Sequence, residues 1–288
     1  MKQATIIGLG MIGTSLGLAL RRLPSPPRVI GTDSQFDAAQ RAGRLKAVDR
    51  AERRLEDAVS GSDLVIIATP VGAVREVLQT IAPVLTQGSV VTDTGSTKRH
   101  VVYSAGELLP STIAFVGGHP MAGRLTSGVA EPDATLFAGT VYCLTPSSST
   151  PPDAVSAVAN MVQQIGAQPY FLDPEEHDGL VAGISHLPYV VSATLMRVLA
   201  SQQGWREMSV LAAGGFDSVT RLAAHDPDMF ADIVKSNSDN VSRQLSLLID
   251  ALTSTRDRLA AGETDLLGEL RAANSLRVEW ERQREKSK

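Results

Sequence analysis

Two kinds of hydrophobic pattern alternate along residues 1–172 of the chain. Short β-rich runs are separated by stretches with helical periodicity, such as Val71–Leu85, in which Val74, Leu78 and Ile81 share one face. The predicted strands are Ala4–Gly8, Arg28–Asp33, Leu64–Ala68, Ser89–Asp93, Ile113–Gly117, Thr140–Leu144 and Pro169–Leu172. Strands that alternate with helices indicate βαβ crossovers, and therefore an α/β domain with a mostly parallel sheet covered on both faces.

The pattern changes after Pro174, where the β-rich runs stop and helical periodicity takes over. The longest predicted helix extends from Pro227 to about Ala261, and the charged segment Glu281–Lys288 is expected to fray. A helix of that length exceeds what the core of one small domain needs, so we expect it to form a subunit interface. The expected organisation is an α/β domain over residues 1–172 and an all-helical dimerisation domain over residues 173–288.

The first predicted strand runs directly into a glycine motif, Gly8-x-Gly10-x-x-Gly13, and a helix follows. Gly8 permits a tight turn, Gly10 lets the backbone approach a pyrophosphate, and Gly13 allows close contact between helix and strand. The helix N-terminus then offers unpaired N–H groups and the positive end of its dipole to the phosphates. The motif predicts a Rossmann-type dinucleotide-binding domain, with Met11 and Ile12 as further cofactor contacts.

The residue at the end of the second predicted strand bears on the choice between NAD and NADP. Asp33 follows Gly13 by 20 residues, where its carboxylate can accept hydrogen bonds from both ribose hydroxyls and would repel a 2′-phosphate. No arginine occupies the two positions after it. NAD is therefore the predicted cofactor, and Thr69 and Pro70, which follow the strand Leu64–Ala68, complete the predicted cofactor site.

Composition and charge narrow the class of protein. The chain has 288 residues, of which 43% are apolar. Its 27 basic and 31 acidic residues give a net charge of −4, and this charge balance argues against a nucleic-acid partner. A single cysteine excludes an internal disulfide. Glycines interrupt the apolar N-terminal stretch, and no run reaches the roughly 18 apolar residues of a membrane span. We therefore expect a soluble, cytoplasmic protein without a membrane partner.

Two polar positions that follow later strands are candidates for chemistry. His119 stands after two glycines and before a proline, on a stiff segment that suits an acid–base group better than a core histidine. Ser96 follows the strand that ends at Asp93, on the side of the sheet where ligands bind. Capping of the next helix by Ser96 or Thr97 explains the same sequence equally well.

The remaining histidines carry weaker signals. His186 lies between an apolar segment and a proline, and the sequence supports a packing role and a functional role for it equally. His177 belongs to an acidic segment that reads as a helix start, with metal ligation as a minor alternative.

Six motifs occur in order between about residues 4 and 240. They are Gly8-x-Gly10-x-x-Gly13, Asp93-x-Gly95-Ser96-x-Lys98, Gly118-His119-Pro120-Met121-Ala122-Gly123, His177-Asp178, Ser185-His186-Leu187-Pro188 and Phe216–Ala223. Together they resemble the prephenate/arogenate (cyclohexadienyl) dehydrogenase family of tyrosine biosynthesis. The third and fifth motifs are far more specific than the glycine motif.

The resemblance implies NAD-dependent oxidative decarboxylation of prephenate to 4-hydroxyphenylpyruvate by a homodimer. It implies that His119 accepts the hydrogen bond of the substrate's ring hydroxyl and that Ser96 orients this histidine and touches the same hydroxyl. It places His186 and Arg221 on the substrate side, with Arg221 as the partner of a carboxylate. These residue types suit the reaction, because a guanidinium binds carboxylates and a neutral imidazole can take up the hydroxyl proton.

Alternatives remain open. Arogenate or an amino-substituted prephenate is a second candidate substrate, although Leu125 stands where an acid could pair with the amino group, which favours prephenate. A β-hydroxyacid dehydrogenase that uses Lys235 as its acid–base group is less consistent with His119. A non-catalytic NAD-sensing regulator would not need Ser96, His119 and Arg221 together. Any feedback by tyrosine is expected to act at the active site itself.

Overall fold

Eight strands form one twisted sheet in the part of the chain that the structure, a computed structural model, describes: residues 1–122 and 131–286. The strands are β1 Gln3–Ile7, β2 Arg28–Thr32, β3 Arg50–Ala51, β4 Leu64–Ile67, β5 Val90–Asp93, β6 Ala114–Pro120, β7 Val141–Pro146 and β8 Gln168–Phe171. Their order is β3-β2-β1-β4-β5-β6-β7-β8, and every neighbouring pair is parallel except β6 and β7. The predicted α/β class with a mostly parallel sheet is confirmed.

Helices cover both faces of this sheet. They are α1 Met11–Arg21, α2 Phe36–Arg44, α3 Leu55–Val59, α4 Val74–Ile81, α5 Arg99–Leu108 and α6 Pro152–Gln164. Successive strand residues point to opposite faces, and in β4 Ile66 belongs to one buried cluster while Ile67 belongs to the other. The first cluster includes Leu16 of α1, and the second includes Leu78 of α4. Burial of these two apolar layers stabilises the sheet and fixes the ends of its strands.

After β8 the chain is entirely helical. The helices are α7 Pro174–Val181, α8 Leu187–Ala200, α9 Trp205–Leu211, α10 Gly214–Thr220, α11 Pro227–Ser236, α12 Ser238–Ala260 and α13 Leu267–Lys286. The compact unit Met1–Val241 contains the sheet together with α7 to α11. A second unit, Ser242–Lys288, contains the rest of α12 and all of α13, with ion pairs from Arg258 to Glu263 and Glu269.

A π-helical turn, Ala182–His186, joins α7 to α8 in one helical segment. The N–H of Leu187 donates to the carbonyl of Ala182, five residues earlier. Pro188 has no N–H for the α-helical bond to Ile184, and its ring crowds that carbonyl, which favours the wider turn. The segment Pro174–Ala200 is the one described helix long and apolar enough to cross a membrane, a property that buried and interface helices also have.

The structure divides the predicted helix from Pro227 to Ala261 into α11 and α12. Asn237 separates them with φ −131° and ψ 30°. Its side-chain Nδ2 donates to the carbonyl of Asp178 at 2.7 Å and lies 3.2 Å from Nδ1 of His186. The prediction of one helix was wrong because these tertiary hydrogen bonds hold Asn237 out of helical geometry, while the apolar pattern continues across the break. Helix α13 extends to Lys286, so the described part of the segment from Glu281, which the sequence predicts to fray, is helical.

Candidate active site

The glycine loop between β1 and α1 lies where the strand order reverses, at the carboxyl ends of β1 and β4. Gly8 has φ +92°, and a Cβ there would lie 2.5 Å from the carbonyl oxygen of Ala68. A Cβ on Gly13 would lie 1.9 Å from the carbonyl oxygen of Gly8. A Cβ on Gly10, by contrast, would meet no described atom within 4 Å beyond its own chain neighbours and helix backbone. The loop therefore has the tight turn, the close packing and the open space that a bound pyrophosphate requires.

Unpaired polar groups face the same crevice. Helix α1 begins at Met11 without a side-chain cap, so the N–H groups of its first turn, including that of Ile12, are available to an anion. The Thr69 hydroxyl, directly after β4, is buried without a hydrogen-bond partner among the described residues. Pro70 follows and precedes a short 3₁₀ turn. A buried hydroxyl without a partner costs free energy, so this position suits a ligand that supplies one.

Asp33 lies at the edge of the glycine loop. Its Oδ2 accepts a hydrogen bond from the N–H of Leu9 at 2.6 Å, and its Oδ1 accepts one from Gln35 at 2.8 Å. Each carboxylate oxygen has a second lone pair, so ribose hydroxyls can still be accepted. The carboxylate thus also fixes the glycine loop, a role that the sequence did not suggest.

A buried ion pair joins the ends of β5 and β6. The Lys98 ammonium binds Asp93 and also donates to the carbonyl of Gly118 at 2.7 Å. Asp93 additionally accepts the N–H groups of Gly95 and Gly118. Burial, opposed by the Asp93 carboxylate, lowers the pKa of Lys98. The pair fixes the backbone immediately before His119, so the histidine is held at a defined place at the strand end.

Two histidines and an aspartate form a chain of hydrogen bonds. Nδ1 of His119 lies 2.9 Å from Nε2 of His177, and Nδ1 of His177 lies 2.8 Å from Oδ1 of Asp178. The two rings meet edge to face, with centroids 5.1 Å apart. His177 and Asp178 are fully buried, whereas His119 is half-buried. Nε2 of His119 is the ring nitrogen left for a substrate.

Asp178 also begins helix α5. Its carboxylate accepts the N–H groups of Lys98 at 2.7 Å and Arg99 at 3.0 Å. Neither Ser96 nor Thr97 caps this helix; the Thr97 hydroxyl bonds instead to Ser236 at 2.9 Å. Asp178 of α7 therefore does the capping that the sequence offered to Ser96 or Thr97 as one of two equal alternatives.

The other predicted substrate residues present unpaired nitrogens. His186 is buried, and its Nε2 has no hydrogen-bond partner among the described residues. Arg221, in a 3₁₀ turn after α10, is half-buried and likewise has a buried Nη1 without a partner in the described chain. Buried donors of this kind favour an anionic or carbonyl oxygen as ligand.

Electrostatics keep both site histidines neutral. Burial, together with the charges of His177, Lys98 and His186, lowers the pKa of His119 well below its ordinary value of 6.5. Burial also lowers the pKa of His186 to about 4, although Asp178 opposes the shift. Both imidazoles are therefore uncharged at neutral pH.

The structure links His119 to His186 through His177, Asp178 and Asn237, and the last two join α7 to the break between α11 and α12. No hydrogen bond joins Ser96 to His119 among the described residues, so its orienting role stays a prediction. Leu125 lies outside the described residues, and the described residues contain no cluster of three or more potential metal ligands.

Sequence reasoning missed the roles of Lys98, His177, Asp178 and Asn237. Three of them occur in the quoted motifs, which were the available signal. Without these motifs, a histidine beside an aspartate at the polar start of a helix would be predicted to lie exposed in the first turn.

The fold and the site define a class: a protein with a Rossmann-type dinucleotide-binding fold and a neutral histidine at the end of a strand beside the cofactor crevice. Residues 16–171 match the family "Prephenate dehydrogenase, nucleotide-binding domain", and residues 173–272 match "Prephenate dehydrogenase, dimerization domain". The chain belongs to the prephenate dehydrogenase family.

Individual relatives agree with this assignment. The chain is 38% identical to a prephenate dehydrogenase of Bacillus subtilis over 84% of its own length and 66% of that protein's. It is 32% identical to a cyclohexadienyl dehydrogenase of Zymomonas mobilis, covering 92% of this chain and 91% of that one. The crystal structure of prephenate dehydrogenase from A. aeolicus in complex with hydroxyphenyl propionate and NAD⁺ superposes with a TM-score of 0.89, at 29% identity, over 97% of this chain and 98% of that one.

Proposed function

We propose that this protein is an NAD-dependent dehydrogenase that oxidatively decarboxylates prephenate to 4-hydroxyphenylpyruvate. The observation that carries the proposal is the position of His119. It stands at the end of a strand beside the nucleotide crevice, it is neutral, and its Nε2 has no hydrogen-bond partner among the described residues. Family membership supports the same reaction.

The cofactor residues are those of the crevice. The N–H groups at Met11 and Ile12 would hold the pyrophosphate above Gly10, and Asp33 would accept the adenosine ribose hydroxyls. Thr69 and Pro70 would line the side of the crevice toward β4. When bound, NAD⁺ supplies the chemistry that this chain lacks, because it accepts the hydride from the ring carbinol of the substrate.

His119 would take up the proton of the ring hydroxyl. Its lowered pKa leaves Nε2 free to accept that proton at neutral pH. Ser96, which lies in the loop after β5, would contact the same hydroxyl. Loss of CO₂ from the oxidised ring then forms the aromatic product.

The substrate's carboxylate and carbonyl oxygens would bind to the unpaired nitrogens of Arg221 and His186. Nδ2 of Asn237 donates to the backbone carbonyl of Asp178, which identifies it as the nitrogen of that amide, and its second hydrogen points to Nδ1 of His186. His186 therefore carries its proton on Nε2 and donates it to a substrate oxygen. His186 and Arg221 together make a neutral and a cationic donor for a dianionic substrate.

The assembly that we propose is a cytoplasmic homodimer, in which residues 1–172 bind NAD and residues 173–288 form the interface. Large apolar side chains of the helical part are exposed, including Ile184 at 71% and Val210 and Leu211 at 81%. Exposure of this extent is typical of a surface that a second subunit covers. The matched dimerization-domain family supports the same assembly.

The test is formation of NADH from prephenate and NAD⁺, followed by absorbance, with the product identified as 4-hydroxyphenylpyruvate. Parallel assays with arogenate, and with a β-hydroxyacid, measure the alternatives. We expect a larger kcat/KM for prephenate than for arogenate. A purified, folded enzyme that reduces NAD⁺ with arogenate alone, or with neither cyclohexadienyl substrate, would overturn the proposal.

A further inference from the structure

His177 is a fully buried histidine with a defined partner on each ring nitrogen. The proposed reaction uses His119 and does not require a second histidine behind it. A buried titratable ring in that place calls for an explanation, because its two nitrogens have to be satisfied in one particular tautomer.

The proton positions in the hydrogen-bonded series His119–His177–Asp178 follow from the protonation state of Asp178. Asp178 accepts the N–H groups of Lys98 and Arg99, so its carboxylate acts as an acceptor and is ionised. Nδ1 of His177, at 2.8 Å from that carboxylate, must therefore carry a proton. In the neutral ring Nε2 of His177 is then an acceptor, and the hydrogen between the two histidines belongs to Nδ1 of His119.

We propose that His177, anchored by Asp178, is a positioning residue that holds His119 in the tautomer with its proton on Nδ1 and its lone pair on Nε2. The proposal deepens the function proposed above and rests on it for its kinetic consequences. In the opposite tautomer Nε2 of His119 would carry a hydrogen and could not accept the proton of the substrate hydroxyl. Once His119 is protonated, the acceptor on His177 and the charge of Asp178 stabilise the imidazolium.

The two variants that separate positioning from packing are His177→Leu and His177→Gln. Leucine fills a similar volume without an acceptor, whereas the Gln side-chain oxygen can reach the place of Nε2. We expect His177→Leu to lower kcat by about 10- to 10³-fold, less than the roughly 10⁴-fold loss seen when a catalytic histidine is held in the wrong tautomer. KM for prephenate should stay within about threefold, because His177 does not contact substrate. His177→Gln should recover part of kcat, and His100→Leu, on an exposed helix position, is the matched control.

A direct readout does not depend on catalysis. Long-range ¹⁵N–¹H spectra of enzyme labelled at its five histidines distinguish protonated Nδ1 from protonated Nε2, and His119 is assigned by its loss in His119→Asn. We expect the Nδ1–H form for His119 in the wild-type enzyme and a mixture in His177→Leu.

Protonated Nε2 on His119 in the wild-type enzyme would overturn the proposal. So would a His177→Leu variant with normal kcat, or Leu and Gln variants that lose kcat and melting temperature equally. If wild-type enzyme does not oxidise prephenate, the proposed function fails, and the spectra still decide the tautomer.

Discussion

Arg221 offers the sharpest separation of a binding role from a structural one. Its Nη1 is buried without a hydrogen-bond partner, and it forms no ion pair with Asp217 or another acid, in the part of the chain that the structure describes. The arginine therefore contributes little to folding, and a buried donor without an acceptor is a cost that a ligand can remove. We expect Arg221→Ala to raise KM for prephenate and to leave the melting temperature almost unchanged.

The size of the effect follows from the surroundings of the guanidinium. Loss of one partner of a buried, hydrogen-bonded charge pair costs about 2–5 kcal/mol. Because Arg221 is half-buried and water can partly replace it, the lower half of that range applies, about 2–3 kcal/mol. With 1.4 kcal/mol per factor of ten, kcat/KM for prephenate should fall by roughly 30- to 150-fold.

Steady-state kinetics with varied prephenate and saturating NAD⁺ measure this loss, and thermal unfolding measures stability on the same preparations. Arg221→Lys should recover only part of the affinity, since an ammonium keeps the charge without the planar fork of donors. Arg206→Ala, on the exposed face of α9, is the control and should change neither quantity. Parallel losses of kcat/KM and melting temperature in Arg221→Ala would refute the binding role.

Three further predictions concern the cofactor and the histidines. Asp33→Ser should raise KM for NAD⁺ about tenfold, for the loss of one or two hydrogen bonds, and should reduce discrimination against NADP⁺ in assays with both cofactors; a wild-type preference for NADP⁺ would contradict the assignment. His119→Asn should lower kcat by about 10²- to 10⁴-fold. In the wild-type enzyme the decrease of kcat/KM at acidic pH should occur below pH 6.5, because burial lowers the pKa of His119. A decrease that begins above that pH would mean that another group titrates. The pKa of His186 is about 4 in the folded protein and 6.5 ordinarily, so the unfolded chain gains this proton first as the pH falls. Up to about 3 kcal/mol of the folding free energy present above pH 6.5 should therefore be lost as the pH falls toward 4. Urea unfolding across this range should show a shallower loss of stability in His186→Gln, and an equal slope in the variant and the wild-type enzyme would contradict the shift.

The sequence was sufficient for features whose signal is local. The glycine motif identified the crevice because each glycine answers to one steric requirement, and Gly8 and Gly13 meet those requirements in the structure. His119 could be proposed as an acid–base residue because it ends a strand after two glycines and the proline that follows restricts its backbone. Alternating patterns located most strands to within two residues, although the two-residue strand Arg50–Ala51 was too short to show a pattern.

Features that depend on distant partners could not be found in this way. Lys98 is fully buried only because Asp93 and the carbonyl of Gly118 surround its ammonium, and composition predicts an exposed lysine. The break at Asn237 arises from contacts with residues about 50 to 60 positions earlier. Local propensity has no information on such pairs; a family motif marked Lys98, and no motif marked Asn237.

The π-helical turn at Ala182–His186 makes the site depend on the number of residues between its parts as well as on their identity. Each residue of an α-helix adds roughly 100° of rotation and 1.5 Å of rise. Removal of one residue between Asp178 and His186 would therefore rotate the imidazole of His186 by roughly 100° relative to Asp178 and away from Asn237, with every functional side chain still present. Constant spacing across this segment is thus a requirement of its own, and an insertion or deletion here should separate a functional relative from a non-functional one even where all the histidines are retained.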